Sequence, residues 1–237
     1  MLTHQPGIKT GFGRFADALV RSMHYSFLKK FKEIWLVDHA GVPNLGNELS
    51  HPGVLPHHAT YIGLLSQMQP VQHAVTDDHL LILLSGPEPQ RSLLEAMLWP
   101  QACAHSGKVI FIAGKADAIV PDHIPAHISY HQQLPAKQLQ PLLEAATYII
   151  SRGGYSTLMD LAVLRKKALL IPTPGQTEQQ YLAGHLHNKG IFPAYRQQDF
   201  SLEKALSDAT HFPFHPLVID GVNEAMQVVV DEWVKHI

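Results

Sequence analysis

Thr147-Tyr-Ile-Ile-Ser-Arg-Gly-Gly-Tyr-Ser-Thr-Leu-Met-Asp160 reads as a short buried strand, a glycine turn and the first turn of a helix. Gly153 and Gly154 let the backbone approach a ligand, and the N–H groups opening a helix favour an anion. Gly153, Gly154, Tyr155, Ser156 and Thr157 are therefore candidates to cradle a diphosphate. A purely structural alternative stands beside this one, a tight turn with Thr157 and Asp160 forming a capping box.

Working outward, the same strand-then-helix rhythm recurs. Apolar runs at Glu33–Asp38, His79–Leu84, Lys108–Ala113, Ala126–Tyr130, Thr147–Ser151 and Ala168–Ile171 predict strands. Helical spacing predicts helices over Gly13–Lys30, Gln90–Ala104, Lys137–Ala145, Thr157–Leu164, Glu178–Lys189 and Val218–Val234. Continuous apolar strands such as Leu80–Leu84 suit a parallel sheet covered on both faces, so the fold expected is a doubly wound α/β sheet. Ligands of such sheets bind beyond the carboxyl ends of the strands. Residues 40–72, rich in proline and glycine, break the rhythm and read as a crossing between two lobes. The expected division is 1–70, an incomplete N-terminal lobe with the crossing, and 71–237, a nucleotide-sugar-binding domain with a closing helix. The first lobe has too few elements to cover both faces of a sheet, so it either packs on something else or begins inside a domain.

Two further loops follow strands. Ser85-Gly-Pro-Glu-Pro-Gln-Arg91 places a stiff turn before a helix, and the Arg91 guanidinium there suits a phosphate or a base; an exposed arginine on a polar loop is the plainer reading. Ile171-Pro-Thr-Pro-Gly-Gln-Thr-Glu-Gln-Gln180 again opens a helix, with Thr177 and Gln180 matching a capping box. Capping leaves Gln176, Glu178 and Gln179 unexplained, and a cluster of amides and a carboxylate suits a hydroxyl-rich ligand.

Composition removes other classes. The 237 residues carry a net charge of −2 and 46% hydrophobic residues, so neither disorder nor a nucleic-acid partner is expected. A single cysteine, Cys103, forms no internal disulfide. No run reaches the length of a membrane span, and a cytoplasmic protein is expected, with peripheral contact at the inner membrane allowed. Gly11-Phe-Gly-Arg-Phe-Ala16 mimics a dinucleotide fingerprint, but it starts too far from Met1–Thr3 for its first glycine to end a strand. His123, His127 and His131 are four apart, yet Pro121 and Pro125 oppose the helix that would align them on a metal.

Together the three loops resemble the donor-binding half of GT-B glycosyltransferases of family 28, the type that includes the lipid II N-acetylglucosaminyltransferase. Leu49-Ser-His-Pro52, Tyr61-Ile-Gly63, Ser85–Arg91 and Pro172–Gln180 also resemble phrases of a bacterial branch of predicted glycosyltransferases. The resemblance implies a GT-B C-terminal Rossmann-like domain that transfers a sugar, from a UDP-sugar by expectation, to an acceptor hydroxyl. It implies that Ser85, Gly86 and Arg91 lie near the nucleotide and that the turn at Gly153, Gly154, Ser156 and Thr157 meets the diphosphate. Asp160 takes the ribose-binding place, where the family usually has glutamate, and Gln179 and Gln180 contact the donor sugar. Leu2-Thr-His-Gln5 resembles the end of an acceptor-lobe strand, which makes His4 a candidate to face the cleft and act in catalysis. Backbone N–H groups carrying the anion make a metal or other cofactor unnecessary. The alternatives are a nucleotide-sugar 2-epimerase on the same fold and a non-catalytic nucleotide-sugar-binding fragment.

Overall fold

The computed structural model describes residues 2–3, 5–69, 78–217 and 224–234. The chain divides into two compact units, one of Met1–Ser66 with Leu217–Ile237 and the other of Gln67–Pro216. In the first unit, β1 (Leu2–Thr3), α1 (Arg14–Leu28), β2 (Ile34–Leu36) and β3 (Ala59–Tyr61) form a small parallel sheet in the order β1-β2-β3. Its core is correspondingly small: Leu28, Ile34 and Leu36 are fully buried, with Tyr25, Phe31 and Tyr61 against them. Phe15, Leu19, Met23 and Phe27, spaced along α1, stay exposed. At the end of β2 the buried Asp38 carboxylate accepts the backbone N–H groups of His39, Leu45 and Gly46, which fixes the loop that follows.

The second unit carries β4 (His79–Leu83), α2 (Gln90–Ala104), β5 (Lys108–Ile112), β6 (Ile128–His131), α3 (Ala136–Ala145), β7 (Tyr148–Ser151), α4 (Tyr155–Val163), β8 (Ala168–Leu170), α5 (Thr177–Asn188) and α6 (Leu202–Ala209). A helix α7 (Glu224–Val234) closes the described chain and groups with the first unit. All strand pairs are parallel, in the order β6-β5-β4-β7-β8. Strands β4 and β7 are in the middle, and their Leu81, Ile82, Ile149 and Ile150 are completely buried. One face packs Leu80, Ile82, Phe111 and Ile150 on Leu94, Leu98 and Ala102 of α2 and on Leu202, Ala205 and Ala209 of α6. Each of the larger side chains contributes roughly 1.5–3 kcal/mol by leaving water. The segment at 193–195 covers the free edge of β8, with Leu170 N donating to Pro193 O and Tyr195 N to Leu170 O, both at 2.9 Å.

The six strands read from apolar runs are present, each within a residue or two of its expected bounds. Helix α6 is an addition. It is short, opens with Ser201 as its N-cap, and is tied to α2 by Leu202 N donating to Gln101 Oε1 at 2.7 Å. The residues around 71, where the second domain is expected to begin, lie outside those described, as do 218–223 at the start of the expected last helix.

Candidate functional site

From β4 the chain steps outward through β5 to β6, then returns to β4's other flank with β7 and continues to β8. The strand order therefore reverses between β4 and β7, and a crevice opens beyond their carboxyl ends. Leu83 of β4 is level with Ser151 of β7, so the loop beginning at Ser85 and the turn at Gly153 rise side by side. The end of β8 lies alongside, with Leu170 level with Ser151, and brings the loop of Gln176 to the same rim. Ser85, Gly86, Gly153–Thr157 and Gln176 thus converge at adjacent strand ends.

The turn itself differs from the capping-box reading. Helix α4 begins at Tyr155 with Gly154 as its N-cap, and Leu158 N closes the first helical bond on Gly154 O at 3.0 Å. Thr157 is already inside the first turn and Asp160 lies beyond it, so neither caps the helix. The N–H groups of Tyr155, Ser156 and Thr157 precede that first bond and run toward the crevice end of the helix. Gly86 has φ +102°, a backbone that demands glycine. Gly154 is different. Its φ is −69°, and a Cβ built on it meets nothing within 4 Å. Neither strain nor crowding inside the chain requires a glycine there.

At the third loop, helix α5 starts at Thr177 with Gln176 as N-cap, so the Thr177–Gln180 capping box is likewise absent. Gln179 turns back instead, its Oε1 accepting Thr173 N at 3.0 Å. That bond orients the amide and leaves its NH2 group as the remaining donor pair. Glu178 is exposed, and Gln180, also exposed, helps line a cavity of about 550 Å³ with Ala183, Gly184, Tyr195 and Gln197. His4 lies outside the described residues.

Arg91 departs from its expected role. It is 4% exposed, and its Nε donates to Glu88 at 2.8 Å, Nη1 to Glu95 at 2.7 Å and Ala113 O at 2.9 Å, and Nη2 to Ser92 Oγ at 2.7 Å. Two carboxylates already balance its charge, which makes it a tie between α2 and the end of β5. The hydrogen bonds from Arg91 and Ser92 hold the Glu88 carboxyl down at about 2.

The arginine at the strand ends is Arg152, to which the sequence pattern assigned no role. It is 2% exposed; Nη1 donates to Gln197 Oε1 at 2.7 Å and Ile171 O at 3.2 Å, and Nη2 to Gln90 O at 2.7 Å. All these acceptors are neutral. Burial pulls its guanidinium down to about 10. Its Nε and the hydroxyl of the neighbouring buried Ser151 have no hydrogen-bond partner among the described residues. The residue just before the glycine turn thus carries a buried positive charge that none of these acceptors neutralises.

The model of the glycosyltransferase family 28 C-terminal domain matches residues 82–216. The chain belongs to that family. Its matched segment begins in β4 and takes in the crevice and every loop described around it. A 76-residue stretch of the chain is 33% identical to the UDP-N-acetylglucosamine--N-acetylmuramyl-(pentapeptide) pyrophosphoryl-undecaprenol N-acetylglucosamine transferase of Methylobacterium radiotolerans. That match covers 31% of this chain and 21% of the relative. Among solved structures, the glycotransferase of kitacinnamycin superimposes with a TM-score of 0.58 at 14% identity, over 97% of this chain and 65% of its own. MurG of Acinetobacter baumannii superimposes with a TM-score of 0.50 at 17% identity, over 99% of this chain and 66% of its own. These likenesses establish the fold, an α/β architecture with a parallel sheet as expected from the sequence, here of five strands. Among the described residues, no helix is long and apolar enough to cross a membrane.

Proposed function

We propose that the chain takes part in transferring a sugar from a UDP-sugar to an acceptor hydroxyl, with the family 28 domain holding the donor. In that reaction the bond between the anomeric carbon and the diphosphate oxygen breaks, and its electron pair leaves with the diphosphate. The acceptor oxygen bonds to the carbon and gives up its proton to a base. The charge growing on the diphosphate meets the opening N–H groups of α4, the positive end of that helix, and the buried Arg152 charge adds to their field. Asp160 would accept the ribose hydroxyls, and the Gln179 amide, with Gln176, Glu178 and Gln180 near it, would meet the sugar. Ser85 and Gly86 would flank the nucleotide. The UDP-N-acetylglucosamine in the Methylobacterium relative's name supports the uridine choice. Its undecaprenol-linked acceptor supports work at the surface of the inner membrane. Family membership favours transfer over 2-epimerisation.

Gly154 carries this reading, because a methyl group fits the chain there and the modest capping preference for glycine leaves close approach of an outside ligand as the main reason for it. Calorimetry with UDP, UDP-sugars and other nucleotide diphosphates tests it. UDP and a UDP-sugar are expected to bind with chelator present. Gly154→Ala is expected to fold normally, since poorer N-capping by alanine and a less flexible unfolded chain each amount to about 1 kcal/mol or less and oppose one another. Its UDP affinity is expected to fall at least tenfold. Equal affinity in both proteins would remove the diphosphate from the turn.

Gln179→Ala separates the sugar end from the nucleotide. Losing a buried hydrogen bond to the sugar costs about 1–3 kcal/mol, so the variant is expected to bind a UDP-sugar less well while binding UDP as before. Equal weakening of both ligands would mean that the side chain acts only by steadying the Thr173 loop.

A further inference from the structure

Outside the family 28 domain, the first unit holds a histidine whose hydrogen-bonding state is dictated by its neighbours. Asp38 is fully buried; its Oδ1 accepts His39 N at 2.8 Å and Leu45 N at 3.0 Å, and its Oδ2 accepts Gly46 N at 2.8 Å and the hydroxyl of Ser50. A carboxylate surrounded by donors takes the Ser50 proton; the other acceptor near that hydroxyl, Asn47 O, is farther off at 3.4 Å. Ser50 Oγ then has only lone pairs to offer His51 Nδ1, which lies 2.9 Å away. That contact is a hydrogen bond only when Nδ1 carries the hydrogen, so in the neutral ring Nε2 has a bare lone pair. Stacking of the imidazole on Tyr61, at 4.7 Å between ring centres and 16° between planes, fixes the ring. Tyr61 OH is itself anchored on Ser50 O at 2.8 Å.

Nε2 is buried and has no hydrogen-bond partner among the described residues. An unpaired buried acceptor is a cost that the loop's architecture alone does not require. His51 also helps line a cavity of about 380 Å³, shared with Ile8, Lys9, Asp17, Arg21 and Glu48. Lys9 pairs with Glu48, and Asp17 accepts the N–H and hydroxyl of Thr10. The wall thus offers both donors and acceptors, with two basic side chains, Lys9 and Arg21, matched by two acidic ones, Asp17 and Glu48, a lining that suits a neutral polyhydroxylated molecule better than an ion.

We infer that this cavity binds a neutral carbohydrate, with His51 Nε2 accepting a hydrogen bond from one of its hydroxyls and with Ser50 and Asp38 as positioning residues that fix the ring's tautomer. Solvent does not reach Nε2 in the free protein, so contact with a sugar hydroxyl requires the cavity wall to open there. The inference stands on the first unit alone and does not rest on the donor reading.

The test is nitrogen NMR of the full chain with labelled histidine, titrated with the methyl glycosides of glucose, galactose and N-acetylglucosamine. Without sugar, His51 is expected in the Nδ1–H form. With at least one sugar, its Nε2 signal is expected to shift in a saturable way. His51→Phe, which preserves stacking on Tyr61, is expected to abolish binding of that sugar while UDP binding is unchanged, and Ser50→Ala to weaken it about tenfold and to mix the tautomers. An Nε2–H ring in the free wild-type protein would overturn the inference. So would a His51 resonance unmoved by every sugar, whatever the variants do. Loss of UDP binding with sugar binding intact would count against the donor reading only.

Discussion

Arg152→Met is expected to lower the stability of the second unit by about 3 kcal/mol, the largest single-residue effect foreseen for this chain. Methionine keeps the bulk but abandons the carbonyls of Gln90 and Ile171 and the amide of Gln197, which Arg152 ties together from the ends of three elements. Hydrogen bonds from a charged donor are worth about 1.5–3 kcal/mol each. Relief from burying a charge without a carboxylate offsets part of their sum. Urea unfolding of the two proteins measures the difference, with the slope expected to be unchanged. A loss below about 1 kcal/mol would mean that the two terms nearly cancel and that the arginine is retained for its charge. The same preparation answers that second question. If the guanidinium charge serves the diphosphate, UDP raises the midpoint of the wild-type protein by more than it raises that of the variant.

The second large effect concerns Asp160→Asn. Sequence alone left a contest between helix capping and ribose binding, and the start of α4 at Tyr155 removes the first contender. Asparagine keeps the shape of the side chain, so the variant is expected to fold, and thermal melting measures what the exchange costs in stability. Replacing a charged acceptor of ribose hydroxyls should cost about 1.5–3 kcal/mol of UDP affinity, or roughly tenfold to more than a hundredfold. Calorimetry on the same preparation resolves that loss. Unchanged affinity would leave the ribose without its proposed partner.

Much of this was legible because period and turn chemistry act locally. The run from Leu80 to Leu84 suits a strand buried on both faces better than an alternating edge strand, and the rhythm around it pointed to a parallel sheet. The helix starts were misplaced by a few residues, because Thr157 and Thr177 both fit a capping pattern that the extended backbones of Gly154 and Gln176 pre-empted. Helix α6 carries a sequence signal, Ser201 followed by Leu202, Ala205 and Ala209 on one face, but eight residues give too short a period to trust without the partner it packs on. The roles of the two arginines depend on distant residues. Arg91 finds two acids within one helical turn of itself, whereas Arg152 finds its partners at Gln90, Ile171 and Gln197, far away in the chain. No local pattern distinguishes such cases.

The reversal of strand order also dictates a schedule of assembly. Strands β4, β5 and β6 pair among themselves and can form half a sheet as soon as they leave the ribosome. β4 nevertheless keeps one bare edge until β7 has been synthesised, and β7 in turn waits for β8. Closing such long parallel crossovers is slow compared with forming helices. The crevice is therefore built from the earliest and the latest strands of its unit, and it is completed only with the second half of the sheet. Until then the nascent chain exposes an apolar strand edge to whatever else is unfolded nearby, which makes the interval between β4 and β7 its period of greatest risk of aggregation.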